Sequence, residues 1–251
     1  MPKLENIFML WALTERVSGG QSTVLPERVT LKVIVDDVPS VDGVAPAHGL
    51  SVLIEALTGG ERRRILFDTG PSSRILDFNL SALGESREVD VVIGSIHLYH
   101  HIGCMHEFKG RALVVAPPLP LKERGEPRIA EIPPLPGFYL VKASSYWGEQ
   151  GLLIPSSRGY VLLVGCSVHG FRETFGWVFS STLRIFGIVG GLGVSARDLF
   201  NLSFIRRVSA RGVELLFPLH STSLEARRKI MRLNKFPVEY EVPGSGAEIT
   251  I

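Results

Sequence analysis

Cysteine is almost missing from this sequence: Cys104 and Cys166 are the only two in 251 residues. Two thiols cannot build a disulfide framework, and their scarcity fits a reducing cytoplasm. Long apolar runs are missing as well. Glu, Lys, Arg, Gly or Pro interrupts every hydrophobic stretch well short of the roughly 18 residues a membrane span needs. The segment IFMLWAL, residues 7–13, lies between Glu5 and Glu15, and no small-residue cleavage site follows it. It reads as a short amphipathic helix rather than a signal peptide. An excess of one charge is missing too. Against 27 basic residues stand 25 acidic ones, for a formal net charge of +2. That balance makes no electrostatic case for nucleic acid or an anionic membrane. The short basic clusters ERRR (61–64) and ARRK (226–229) read as solvated faces. VGGLGV (189–194) lacks the strand–turn–helix spacing and the downstream acid of a phosphate-binding loop. No nucleophile elbow surrounds Ser221, which excludes a Ser-His-Asp machine of Ser221, His220 and Asp68.

What is present is apolar residues, 45% of the chain, with a mean hydropathy of +0.22. That is ample for a core buried between two or more layers. Residues 29–36, VTLKVIVD, alternate as a strand. HGLSVLIEAL (48–57) and RRILFDTG (63–70) read as two strands of a hairpin joined at TGGE. SSRILDFNLSALG (72–84) puts Ile75, Leu76, Leu80 and Leu83 on one helical face and ends at Gly84. VDVVIGS (89–95) is a nearly continuous apolar run, the mark of a central strand buried on both faces. Residues 116–137 hold seven of the 16 prolines. That density predicts a long loop without helix or ladder strand, placed to cover a pocket or to contact a second copy in a homo-oligomer. Strands follow at 138–143, 151–155 and 159–165. Then come a helix over 171–182, a strand at 184–190, a helix near 195–204, a strand at 213–219 and a helix at 223–233. The expected organisation is an N-terminal extension, residues 1–28, ahead of one α/β domain, residues 29–251.

The residues that carry chemistry are histidines. VVIGSIHLYHHIGCM (91–105) ends an apolar run and then places His97, His100 and His101 within five positions. With "VDD" (35–37) followed by "HGLSVLIE" (48–55), "ILFDTG" (65–70), "GCSVHG" (165–170), "IVGGLGV" (188–194) and "FPLHSTS" (217–223), the chain resembles the metallo-β-lactamase superfamily. Its nearest likeness is to the archaeal and bacterial branch that joins a dihydropterin to a ribofuranosylaminobenzene phosphate. The resemblance spans about residues 29 to 223. It implies a four-layer αββα sandwich of two mixed β-sheets, with metals held by loops at one edge.

The motif departs from that family where the first metal would bind. The family writes Ser-His-x-His-x-Asp-His-x-Gly-Gly. Here Ser95 is kept, but Ile96 and Leu98 stand at the two His positions, and Val168 replaces the His of Gly-Cys-Ser-His. None of these three can ligate, and aliphatic side chains are expected to fill the vacated pocket. The second metal's positions carry His100 (for Asp), His101 and His220. The resemblance therefore implies a surviving site of three imidazoles, a known catalytic zinc set when a fourth position is open. Asp68 is the expected partner that orients these rings or caps the loop through backbone N–H groups. His48 and Cys166 are expected at the pocket, Cys166 by default as a small buried hydrophobe. His97 and His169 sit one residue from lost ligand positions. On an extended segment that offset points a side chain the other way.

Two functions follow. One is a non-catalytic or weakly active relative that binds a small pterin-like or phosphorylated ligand, with one zinc (or manganese or iron) or no metal at all. The other is a mononuclear metal-dependent hydrolase or transferase.

Overall fold

The computed structural model describes residues 25–120, 123 and 125–251. The amphipathic segment at 7–13 lies outside the described residues.

Strand β1 (Arg28–Val35) alternates as its sequence requires, with Val29, Leu31 and Val33 turned into the core. β2 (Ser51–Thr58) and β3 (Glu61–Phe67) pair antiparallel from Val52↔Phe67 to Thr58↔Glu61. Gly59 (φ 58°) and Gly60 (φ 82°) make the two-residue turn between them. A positive φ at both positions is the type I′ arrangement, whose twist matches the right-handed twist of the flanking strands. Helix α1 (Ser73–Ala82) is capped by Ser72, whose side chain accepts from the Ile75 N–H. Leu76 and Leu80 are buried against β1–β4. β4 (Val91–Ile93) then runs parallel to β3. After the single turn of α2 (Tyr99–Ile102), β5 (Leu113–Val115) runs parallel to β4.

The second sheet is built from β6 (Arg128–Ile132), β7 (Leu135–Lys142), β8 (Gln150–Ser156), β9 (Gly159–Val164), β10 (Ile185–Gly190) and β11 (Leu215–Pro218). Three helices cover its outer face: α3 (Phe171–Phe175), α4 (Leu199–Ala210) and α5 (Leu224–Met231). β12 (Glu248–Thr250) returns to the first sheet beside β1. The strand orders are β12-β1-β2-β3-β4-β5 and β11-β10-β9-β8-β7-β6. Both sheets are mixed, with parallel pairing at β3–β4–β5 and at β9–β10–β11. Val33, Ile54 and Phe67 from one sheet share a core with Leu140, Leu163 and Phe217 from the other. Separate clusters lie under α1 and under α3–α5. The layers are therefore α, β, β, α, as expected. No helix among the described residues is long and apolar enough to cross a membrane.

The proline-rich stretch departs from expectation in part. The described residues of 116–127 are loop as expected, but from Arg128 on the stretch holds β6 and the start of β7. β6 is an edge strand that pairs with β7 alone, so Pro127 precedes it and Pro133 and Pro134 form the turn out of it. Proline is tolerated at such positions because the missing N–H faces no ladder partner. The helix expected at 171–182 ends at Phe175 and continues as a 3-10 turn over 176–180. The helix expected near 195–204 starts at Leu199, where the Asp198 carboxylate caps it by accepting from the Asn201 N–H.

The C-terminal ends of β1, β3, β4, β9 and β11 lead into one cluster of loops. These carry Asp36 and Asp37, Asp68, Ser95 to His101, Cys166, and His220. Among the described residues, three non-glycine residues have positive φ, and all lie in these loops: Asp68 (59°), Ser167 (53°) and Ser221 (62°). Left-handed backbone costs of order 1 kcal/mol or more per residue. Its concentration where strands end marks the edge the chain was shaped to build.

Candidate metal centre

Asp68 organises the floor of the cluster. It is fully buried and accepts three hydrogen bonds of 2.6 Å each, from the Ser95 N–H, the Ser95 hydroxyl and Nδ1 of His101. It thus caps the loop and orients a histidine at once. A carboxylate only accepts, so His101 donates from Nδ1, and in the neutral ring that leaves the lone pair on Nε2. That Nε2 is buried and has no hydrogen-bond partner. An orphaned lone pair in a buried site is costly unless something electrophilic meets it.

Asp37 plays the same part for His220. Its two oxygens lie 3.0 and 3.1 Å from Nδ1 of His220, and Oδ1 also lies 3.1 Å from Nδ1 of His48. His220 is 1% exposed, whereas the His48 ring is largely in solvent. The four imidazoles form one group. Ring centroids are 4.6 Å apart for His100–His101, 5.2 Å for His100–His220, 5.0 Å for His101–His220 and 4.6 Å for His48–His100. Burial pushes the His100 imidazole down to about 3, helped by His101, His220 and His48 around it. Burial also lowers His220, against the pull of Asp37. Both rings are therefore neutral at pH 7, the state a metal requires. Burial opposes ionisation of Asp37, but its bond to His220 and the His220, His48 and Arg227 side chains around it prevail and hold it down at about 2.

One ligand atom from each of His100, His101, Cys166 and His220 lies within 4.8 Å of every other. The three expected histidines are thus brought together, and Cys166 joins them as a fourth donor rather than as a packing residue alone. Burial, reinforced by the Glu149 and Asp68 carboxylates, pushes its thiol up to about 12. Without a cation beside it, Cys166 is protonated. Three imidazoles and a thiol are a donor set suited to zinc or cobalt. With the orphaned His101 nitrogen, these residues fit a metal ion.

The other expected residues lie elsewhere. His97 Nε2 is 2.8 Å from the Pro117 carbonyl oxygen. His169 packs edge-on to Tyr146, with ring centroids 6.5 Å apart. Neither joins the cluster. Of the three aliphatic replacements, Ile96 is fully buried and Leu98 half-buried, but Val168 is 36% exposed and fills nothing. Its backbone is what faces inward: the Val168 N–H donates to the buried Glu149 carboxylate at 3.1 Å. Ser221 is no nucleophile. Its hydroxyl donates to the Cys166 carbonyl at 2.6 Å and accepts from the Gly193 N–H.

Asp37 and Glu149 were not expected at the site. Asp37 stands in the quoted "VDD", and a carboxylate immediately after a strand was the available signal. Nothing local marks Glu149.

The backbone approaches the site closely at Gly49 (φ 140°). A Cβ there would lie 2.0 Å from the His100 carbonyl oxygen. Gly49→Ala is expected to cost about 2 kcal/mol or more in urea denaturation, within the range of strained positions. Stability within about 0.5 kcal/mol of the parent would show that the two loops are not held in contact.

A search of solved structures finds this architecture in proteins of distant sequence. One is described as Tm1679, a metal-dependent hydrolase of the β-lactamase superfamily. It is 19% identical, covers 88% of this chain and 98% of its own, and superposes with a TM-score of 0.63. The fold is that of the metallo-β-lactamases. A second metallo-β-lactamase fold protein, YhfI from Bacillus subtilis, is 14% identical over 88% of this chain and 99% of its own, with a TM-score of 0.54. No family model matches the sequence, and no curated protein does. The likeness reaches the metallo-β-lactamase fold and no particular branch of it.

Proposed function

We propose that this chain is a single-metal protein of metallo-β-lactamase fold, holding one divalent ion with His100, His101, His220 and the thiolate of Cys166. The observation that carries this reading is the four-donor cluster with the unpartnered His101 nitrogen inside it. Two carboxylates support it from behind. Asp68 and Asp37 fix the tautomer and direction of His101 and His220, as outer partners of metal-bound imidazoles do. Ile96, Leu98 and Val168 cannot ligate, so the family's first metal position is not supported, although Asp37, His48 and His220 form a second, more exposed group of possible donors beside the first. Only with Cys166 off the ion would a position stay open for an oxygen ligand to be polarised or a bound water acidified.

Four protein donors close a tetrahedral shell, which is the pattern of structural rather than catalytic zinc. The chain is accordingly a metal-binding, weakly active or inactive relative of the hydrolases. An open surface depression of about 390 Å³ lies beside Cys166, lined also by Val168, Gly193, Val194, Ser195, Ser221 and Ser223. It offers hydroxyls and aliphatic groups and no charged side chain. That lining suits an uncharged small molecule better than a phosphorylated one. The same depression favours a second reading: if Cys166 stays off the ion, the open position makes a mononuclear hydrolase.

Metal analysis and cobalt spectroscopy separate the two. The parent protein is expected to take up about one equivalent of Zn²⁺ or Co²⁺, and His220→Ala to lose it. Near-ultraviolet thiolate-to-cobalt absorption in the parent, absent from Cys166→Ser, supports the closed site. Co²⁺ bound without that band, together with zinc-dependent lactone or phosphodiester hydrolysis, supports the open one. Protein that stays metal-free in excess Zn²⁺ and Co²⁺ refutes both.

A further inference from the structure

Arg227 belongs to ARRK, which reads as a solvated face. The structure corrects that: Arg227 is 1% exposed, while the side chains of Arg228 and Lys229 on the same helix are about half in solvent. Its guanidinium points away from water into the loop cluster. Nη1 donates to Asp36 Oδ1 at 2.6 Å and to the Pro243 carbonyl at 2.8 Å, and Nη2 donates to Asp36 Oδ2 at 3.3 Å. Nε donates to the Thr222 carbonyl at 3.0 Å.

Both main recipients bracket His220. Thr222 lies two residues after it. Asp36, fully buried, accepts the backbone N–H of His220 at 2.6 Å through the same Oδ2 that Arg227 holds. Asp36 is also the neighbour of Asp37, whose carboxylate directs the His220 ring. Between the two brackets the chain passes through left-handed Ser221. Backbone bonds from the Leu219 N–H to Gly190, the Thr222 N–H to Leu219 and the Ser223 N–H to Val194 hold the ends of this loop, but the N–H of His220 itself goes to a side chain, that of Asp36.

A buried ion pair is a poor source of net stability. Apolar residues of similar size often do as well or better, because desolvating two charges offsets their attraction. What a guanidinium supplies that apolar packing does not is a rigid planar fork of donors.

We propose that Arg227 is a positioning residue: its guanidinium locks Asp36 and Thr222 on either side of His220, so that the His220 imidazole meets those of His100 and His101. Its bearing on metal binding rests on the reading given under Proposed function, whereas the positioning of His220 can be tested without metal.

The variants are Arg227→Lys, which keeps the charge but loses the fork, and Asp36→Asn. The control is Ile230→Ala, a buried cavity on the same helix that leaves the network intact. In the metal-free protein, amide hydrogen exchange at His220 is expected to speed up about tenfold or more in both variants relative to the amides of β8. Ile230→Ala should move His220 and β8 together, as a loss of overall stability does. In the same samples the dissociation constant for Co²⁺ should rise about tenfold or more in Arg227→Lys and stay near the parent value in Ile230→Ala. Exchange at His220 that tracks β8 in Arg227→Lys overturns the proposal. So does failure of both variants to fold, since the pair would then hold the whole chain rather than one residue. A parent that binds no Co²⁺ defeats the metal reading instead, and the exchange ratio still decides whether Arg227 positions His220.

Discussion

Asp68→Ala is expected to lower the unfolding free energy by about 3–5 kcal/mol, among the largest losses available to a single substitution in this chain. The reason is the number of buried donors that would lose their acceptor together. The Ser95 N–H, the Ser95 hydroxyl and His101 Nδ1 all end on this one fully buried carboxylate. Each orphaned buried donor costs about 1–3 kcal/mol. Asp68 also sits at φ 59°, a region that Asp and Asn tolerate better than Ala. Asp68→Asn separates the two causes. It keeps shape and backbone preference, but its NH₂ must face one of the three donors. The expected stability loss is about half that of Ala, while metal affinity falls by about 10–100-fold because His101 is no longer held by a charge. Urea denaturation and competition with a chromophoric chelator measure the two quantities. If Asp68→Asn binds Zn²⁺ as tightly as the parent, the carboxylate is not what aims His101.

Much of the scaffold was legible because its signals are local. Gly59–Gly60 announces a hairpin, Ser72 and Gly84 bound a helix with one apolar face, and the run at Val91–Ile93 announces a strand covered on both sides. The expectation of a loop at 116–137 holds for the described residues of 116–127 and fails from Arg128 on, because proline counts say nothing of strand position. The prolines border β6 rather than sit in it, and Pro136 in β7 falls where the register with β6 shifts. β12 escaped notice because three residues that close a sheet carry no period of their own. The site was half legible. His100, His101 and His220 could be read by likeness to a motif. Asp37 reaches His220 across 183 positions, and Arg227 reaches Asp36 across 191. Contacts of that span are made by the sheet order, which no local pattern encodes. The aliphatic replacements misled in one respect. The Val168 backbone turns toward Glu149 and leaves its side chain outside.

Glu149 gives the second large effect, seen in the dependence of stability on pH. It is 2% exposed, and burial pushes its carboxyl up from 4.5 to about 7, only partly offset by the Val168 N–H and the Ser145 hydroxyl that donate to it. Because the folded value lies above the unfolded one, the folded state holds a proton that the unfolded chain has released. The stabilisation is therefore complete below pH 4.5 and is lost as pH rises through about 7. At 1.36 kcal/mol per pH unit, the loss is about 3 kcal/mol. His100 works in the opposite direction in part of this range. Its folded value is lowered to about 3, so the unfolded chain binds its proton first and stability falls as pH drops below 6.5. The parent's own curve mixes the two. The difference between the parent and Glu149→Gln removes the histidine contribution, which both proteins share. Relative to the parent, Glu149→Gln is expected to gain about 3 kcal/mol between pH 4.5 and 8, measured by urea denaturation of the metal-free proteins. A difference that stays flat across that range would place the ionised carboxylate, not the acid, in the folded protein at pH 6.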